Sequence, residues 1–153
     1  MSLYFKPNKS NEQLRNVFNY NVEAFSDIVD IPWSMEALEE ERAAEWELYS
    51  VHVDDEAGEI IAVLFVKEQE GVLLTKNTGL KISHQGQGYS HEIKDFFEDL
   101  AHEKGSSEIV SFCRKDDFRT ISLNETHGYH QTNQFEDDKG MVFLEWTKKV
   151  SVK

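Results

Sequence analysis

Hydrophobic and polar residues alternate with two different periods along this chain. Leu3 to Phe5 suits a short first strand. Behind Ser10, a residue type that caps helices, Leu14, Val17 and Phe18, then Val22 and Phe25, recur at helical spacing. Pro32 interrupts the pattern, and Ser34 is placed to cap a second helix running through roughly Tyr49, with Met35, Leu38 and Trp46 as a thin apolar side. Ala37 stands at the third helical position, where a reciprocal capping box wants Glu or Gln, so that cap is half built. The period then changes. "LYSVHV" and "EIIAVLFV" are β-branched and aromatic, the turn-like "DDEAGE" separates them, and "GVLLTKNTGL" reads as a further strand. From Gly88 to Lys104 helical spacing returns, with Ile93, Phe96, Phe97, Leu100 and Ala101 on one face and Gly105 as the stop. "SEIVSFC" predicts a buried strand and "DFRTISLNETH" a short helix ending at Gly128. "YHQTNQF" and "GMVFLEW" flank "EDDK" as a hairpin.

Helices that fall between strands, with a hairpin closing the chain, predict an α/β fold with a mixed sheet. The 153 residues contain no internal repeat, low-complexity tract or Pro/Ser-rich linker, which predicts one domain over 1–153. A composition 39% hydrophobic and 12% aromatic is that of a soluble globular protein. No apolar run approaches the about 20 residues that span a bilayer, and Met1 to Pro7 has none of the regions of a signal peptide. A single cysteine, Cys113, cannot close an internal disulfide, and its apolar strand predicts burial rather than reactivity. A cytoplasmic location, with no membrane partner, is the expectation. The formal net charge of −13 repels phosphate polymers, so nucleic acid is not an expected partner. That field favours cationic small molecules or basic peptides, although solubility alone explains the acidity equally well.

The stretch "SHQGQGYSHEIKDFFEDLAHEKG" carries the chemistry. Gly86 and Gly88 stand directly before an amphipathic helix, whose first N–H groups lack internal partners and carry about half a positive charge. Without side chains at those two positions an anion reaches the donors directly, so a diphosphate cradle fits, as does a plain turn. Two familiar cradles are excluded. A dinucleotide fingerprint needs a third glycine where His91 stands, and a P-loop needs a Gly-Lys-Ser/Thr ending that is absent.

"TGLKISHQGQGYSHEIK" resembles motif A of the GNAT superfamily of acyl-CoA N-acyltransferases, Gln/Arg-x-x-Gly-x-Gly/Ala, here Gln85-Gly86-Gln87-Gly88-Tyr89-Ser90. Serine in the last small position is a mild departure. Thr78-Gly79-Leu80 before the loop and Ile93-Lys94 after it look like one GNAT subset that carries "TGV" and "LK". "DDFRTISLNETHGY" resembles motif B, with Gly128-Tyr129 in place, Asp117 where an Asn is usual, and Asn124 where many members keep a tyrosine. The resemblance covers about residues 45 to 147. It implies a GNAT-like fold with a central mixed sheet and about four flanking helices. It also implies acetyl-CoA as co-substrate, with the diphosphate on the backbone of Gly86 to His91 and pantetheine beside Thr78-Gly79-Leu80. Asp117 and Asn124 would complete the contacts, and no metal is implied.

Acetyl transfer to an amine needs a neutral nucleophile. A lysine-like amine costs about 4–5 kcal/mol to deprotonate at pH 7, an α-amine about 1. A general base is therefore useful but not always essential, and a backbone N–H near Leu80 is the family's candidate oxyanion donor. The chain departs from the family here. Phe112 replaces the glutamate that some members put on the strand before motif B, and Asn124 replaces the tyrosine credited with protonating the thiolate. Asparagine donates hydrogen bonds but supplies no proton of matched pKa. Asn124 and Thr78 are the catalytic candidates by position, with His84 a distant third as base. His91-Glu92 precedes Asp95 rather than histidine, which excludes the zinc-protease motif, and His127 and His130 read as turn residues. "MEALEEERAAEWELY" holds six glutamates against one arginine. It reads as a solvated helix face, with Glu39, Glu40 or Glu41 attracting a cationic acceptor as the functional alternative. The apolar last strand "MVFLEW" is a candidate for pairing across a homodimer.

Overall fold

The computed structural model describes residues 3–8, 10, 12–13, 36, 39–40, 43–80 and 88–150, with 76–80 described through their backbone alone. Strands β1 (Leu3–Asn8), β2 (Glu47–Val53), β3 (Ile60–Gln69) and β4 (Val72–Leu80) precede helix α1 (Tyr89–Lys104). Strand β5 (Glu108–Arg114), helix α2 (Phe118–Thr126) and the hairpin β6 (His130–Glu136) and β7 (Val142–Lys149) follow. The seven strands form one sheet in the order β1-β2-β3-β4-β5-β7-β6. It is mixed, because β4 pairs with β5 in parallel while β1–β2, β2–β3, β5–β7 and β6–β7 are antiparallel. This is the α/β architecture that the hydrophobic pattern predicts.

Contacts gather into two units. The first comprises Met1–Lys67 and Lys76–Tyr89. Its β3 is buried from Ile60 to Val66 without a break, so both faces of that strand are covered and the apolar run could not alternate. Strand β1 is longer than the predicted Leu3–Phe5 and continues through Pro7. A proline is tolerated there because β1 lies at the end of the sheet, where a missing N–H breaks no second ladder. Ser10 caps a helical turn as predicted, and Gln13 completes the box. The Gln13 N–H donates to Ser10 Oγ and the Ser10 N–H to Gln13 Oε1, both at 3.1 Å. The rest of that predicted helix lies outside the described residues, as does Ser34. The second helix does not run to Tyr49. Glu45 takes a left-handed φ of 70°, and β2 starts at Glu47. Leu48, Ser50 and Val51 are buried within that strand, and their pairing with β3 outweighs the helical preference of the glutamates.

The second unit comprises Glu68–Thr75 and Ser90–Lys153. Ile93, Phe97, Leu100 and Ala101 of α1 are buried with Ile109, Val110 and Cys113 of β5 and Leu144 and Trp146 of β7. Phe96, expected on the same face, is only half-buried. Lys94 is buried instead, 5% exposed. Gly105 ends α1, where the Ser106 N–H reaches back to the Ala101 carbonyl at 2.8 Å. The expected dimer pairing through "MVFLEW" meets an obstacle, because β7 already pairs with β5 on one side and β6 on the other. The free edge of the hairpin belongs to β6, whose seven residues are all exposed.

Candidate functional site

Helix α1 opens on a residue whose backbone is unusual. Gly88 sits at φ 82°, a conformation that suits glycine, and among the described residues outside its immediate neighbours nothing lies within 4 Å of where a Cβ would stand. Tyr89 is buried, Ser90 half-buried and His91 exposed in the first turn. Gln85, Gly86, Gln87 and His84 lie outside the described residues. Thr78, Gly79 and Leu80 form the end of β4.

Helix α2 is built between two caps. Asp117 is its N-cap: Oδ1 accepts from the Thr120 N–H at 3.2 Å and Oδ2 from the Thr120 hydroxyl at 2.6 Å. At the other end Gly128 takes φ 82°, and the chain turns so that the Tyr129 N–H donates to the Asn124 carbonyl at 2.9 Å. Gly128-Tyr129 is therefore a helix stop that ties Tyr129 to Asn124.

Asn124 is 0% exposed. Its Oδ1 accepts from Lys94 Nζ at 2.5 Å, and the same amino group donates to Ser111 Oγ at 3.3 Å and stands 4.4 Å from the centre of the Tyr129 ring. Two buried polar atoms in this cluster have no partner among the described residues, Asn124 Nδ2 and the Tyr129 hydroxyl. Burial, with Glu98 adding to it, pushes the Tyr129 phenol well above its ordinary range. That hydroxyl stays protonated at neutral pH.

One turn away, His91 Nδ1 and His127 Nε2 share a hydrogen bond of 2.8 Å. Burial first, and His91 second, hold the His127 imidazole below its ordinary value. The pairs His91–His127 and Lys94–Asn124 join α1 and α2 at matched intervals of three residues, which fixes their register. Phe112 lies in β5 with its ring 6.1 Å from Phe135, edge to face, and Phe135 stacks on Phe143 at 5.6 Å. Glu39 and Glu40 are exposed, and Glu41 lies outside the described residues. Of the residues predicted to matter, the described structure thus brings Asn124 to a buried polar centre and leaves Asp117 at a cap. The residue that sequence reasoning missed as a site member is Lys94. A signal existed, since position 94 falls on the Phe97 and Ala101 stripe at i, i+3, i+7.

The fold is that of solved N-acetyltransferases. The ribosomal-protein-S18-alanine N-acetyltransferase of Escherichia coli is similar over 99% of this chain and 96% of its own, with 13% identity and a TM-score of 0.76. A mutant spermidine N-acetyltransferase of Vibrio cholerae matches 96% of this chain and 93% of its own, with 13% identity and a TM-score of 0.71. An acetyltransferase of the GNAT family from Streptococcus pneumoniae matches 98% of this chain and 100% of its own, with 10% identity and a TM-score of 0.70. No protein-family sequence model matches the chain, and no curated protein matches it.

Proposed function

We propose that this chain is an N-acetyltransferase that moves the acetyl group of acetyl-CoA directly to a primary amine of a cationic acceptor. One observation carries the reading: the likeness to N-acetyltransferases of known structure extends over nearly the whole of both chains, with a TM-score of 0.76 against the first. Gly88, in the stretch that resembles motif A, has a positive φ and directly precedes helix α1, which supports the reading. The backbone from Gly86 to His91 would hold the diphosphate, and the end of β4 at Thr78, Gly79 and Leu80 would pair with pantetheine. "TGL" and "IK" around the loop favour the subset with "TGV" and "LK". Asp117 contributes by setting the start of α2.

In the reaction the amine nitrogen attacks the thioester carbonyl carbon, the C–S bond breaks, and the amine loses a proton as coenzyme A leaves as a thiol. Asn124 Nδ2 is the donor offered to the acyl group or the leaving sulfur, with no proton of its own to give. Charge is what supports a cationic acceptor. A chain with net −13 concentrates cations, and exposed Glu39 and Glu40 add to that field. The two similar proteins named for their acceptors act on an alanine of a ribosomal protein and on spermidine, both amines. A second reading, a coenzyme-binding module with weakened catalysis, is favoured by Phe112 and Asn124, which put no titrating acid or base at those two positions.

Calorimetry with acetyl-CoA and a free-thiol assay across an amine panel test both readings. Saturable acetyl-CoA uptake is expected, with about 2.7 kcal/mol of added stability at a hundredfold excess over Kd. Amine-dependent thiol release is expected with it. No uptake by folded protein overturns the assignment, and uptake without release on any amine leaves the binding module standing.

A further inference from the structure

We propose that Lys94 is a positioning residue, which holds the Asn124 carboxamide so that its N–H bonds, and not its carbonyl, face the acyl group. The inference rests on the acetyltransferase reading above. An amide side chain offers an acceptor at one end and two donors at the other, and in a buried site something must choose which end faces the reaction. The lysine ammonium carries donors and no acceptor, so its 2.5 Å contact selects Oδ1. The opposite end, Nδ2, is then committed to point away from Lys94, and it is buried with no partner among the described residues. A buried donor left unmet is costly in a folded chain and calls for a ligand or a role.

The chain also clamps the other parts of this residue. The Asn124 backbone carbonyl is held by the Tyr129 N–H at 2.9 Å, through the turn that Gly128 makes. Lys94 itself is fixed from several sides. Ser111 Oγ of β5 accepts from its Nζ at 3.3 Å, the Tyr129 ring lies 4.4 Å from it, and the Phe97 ring 6.0 Å. Lys148, bound to Glu98 at 3.2 Å, flanks the same Tyr129 ring at 6.0 Å. A flexible side chain thereby becomes a rigid support. This explains why a lysine occupies an apolar stripe: where a tyrosine hydroxyl needs no orientation of its two ends, an asparagine does.

The test is a cycle of variants with two readouts. Lys94→Met keeps length and burial but removes the donor, Lys94→Gln keeps a donor without the charge, and Asn124→Ala removes the oriented group. Lys94→Met is expected to lower kcat about 10- to 100-fold, the scale of a misplaced group in a site, with KM for acetyl-CoA within about twofold. Lys94→Gln is expected to recover part of that loss. In the Asn124→Ala background Lys94→Met is expected to cost nothing further in kcat. The second readout is the Asn124 side-chain amide resonance, identified by its loss in Asn124→Asp. Acetyl-CoA should shift it in the wild type and leave it nearly unmoved in Lys94→Met. Wild-type kcat in Lys94→Met, or losses that multiply in the double variant, overturn the role of Lys94 while acetyl-CoA uptake by the wild type keeps the enzyme reading. No uptake by the wild type removes both. If Lys94→Met does not fold, Lys94→Gln with Asn124→Ala closes the same cycle, and multiplied losses there overturn it equally.

Discussion

Each of the two units buries a polar cluster, and the clusters are finished to different degrees. In the first unit Asn8 Nδ2 donates to the Lys6 carbonyl and to Ser50 Oγ, both at 2.9 Å. Ser50 Oγ lies 2.7 Å from His52 Nε2, and His52 Nδ1 lies 3.1 Å from the Gly58 carbonyl. The direction of every bond follows. A carbonyl only accepts, so Nδ1 carries the proton, Nε2 is the acceptor, and the Ser50 hydroxyl donates to it. In the second unit Lys94, Ser111, Asn124 and Tyr129 form a cluster of similar size that leaves Asn124 Nδ2 and the Tyr129 hydroxyl unmet among the described residues. The satisfied cluster tightens β1, β2 and the following turn. The unsatisfied one leaves buried polar groups unpaired, which costs stability that a fully paired cluster keeps.

The sharpest way to break this contrast is Ser50→Ala. It deletes the middle of the finished chain and strands a donor hydrogen of Asn8 and the Nε2 of His52. A loss of about 2–3 kcal/mol in denaturant unfolding is expected, at the scale of two buried groups left unpaired. Affinity for acetyl-CoA should not change. A loss under about 0.5 kcal/mol would mean that this cluster is not the structural one.

Tyr129→Phe is the complementary variant and a smaller effect. It removes a hydroxyl that has no partner among the described residues, so stability should stay level or rise by up to about 1 kcal/mol. The ring remains to face Lys94 and Lys148. If unfolding shows a loss above about 1 kcal/mol, that hydroxyl is bonded in solution, and the second cluster is less unfinished than its geometry says.

The contrast also marks how far the chain could be read unaided. Where a rule acts within one element, the reading holds: the buried run of β3, the α1 face of Ile93, Phe97, Leu100 and Ala101, the Gly105 and Gly128 stops, and the last hairpin. The Ser10–Gln13 box is equally local, a serine with glutamine three residues on. The rest depends on partners distant in sequence. Lys94 meets Asn124 thirty residues later and His91 meets His127 thirty-six later, and no period along the chain announces either contact. The end of the second helix depends on a distant partner in the same way, since β3 supplies the ladder that draws Glu47 to Val53 into a strand. A site assembled by tertiary contacts is visible in sequence only as residues of the wrong polarity in the right stripe, and Lys94 is the case in point.

The smallest effect discriminates between the units by pH. His52 in the first and His127 in the second are both held below the ordinary histidine value of 6.5, in each case chiefly by burial. Above pH 6.5 both residues are neutral folded and unfolded, so their contribution to stability is fully present. As pH falls through 6.5 toward the lower folded values, the unfolded chain takes up protons that the folded chain refuses, and stability declines. Free energies of unfolding measured between pH 8 and 5 should therefore be flat at first and slope downward below about 6.5, before carboxylates near 4 begin to titrate. His52→Gln and His127→Gln should each flatten part of that slope. A proton on His52 also ends the acceptor role of Nε2 and forces the Ser50 hydroxyl to turn, so the finished cluster loses a bond as well as a charge balance. In the exposed pair His91–His127 a ring that takes up a proton can still donate to the other ring, so that bond survives a single protonation and the larger share of the slope should follow His52. Equal shares, or a slope that His52→Gln leaves untouched, would show that the two clusters respond to charge alike and that bond completeness does not separate them.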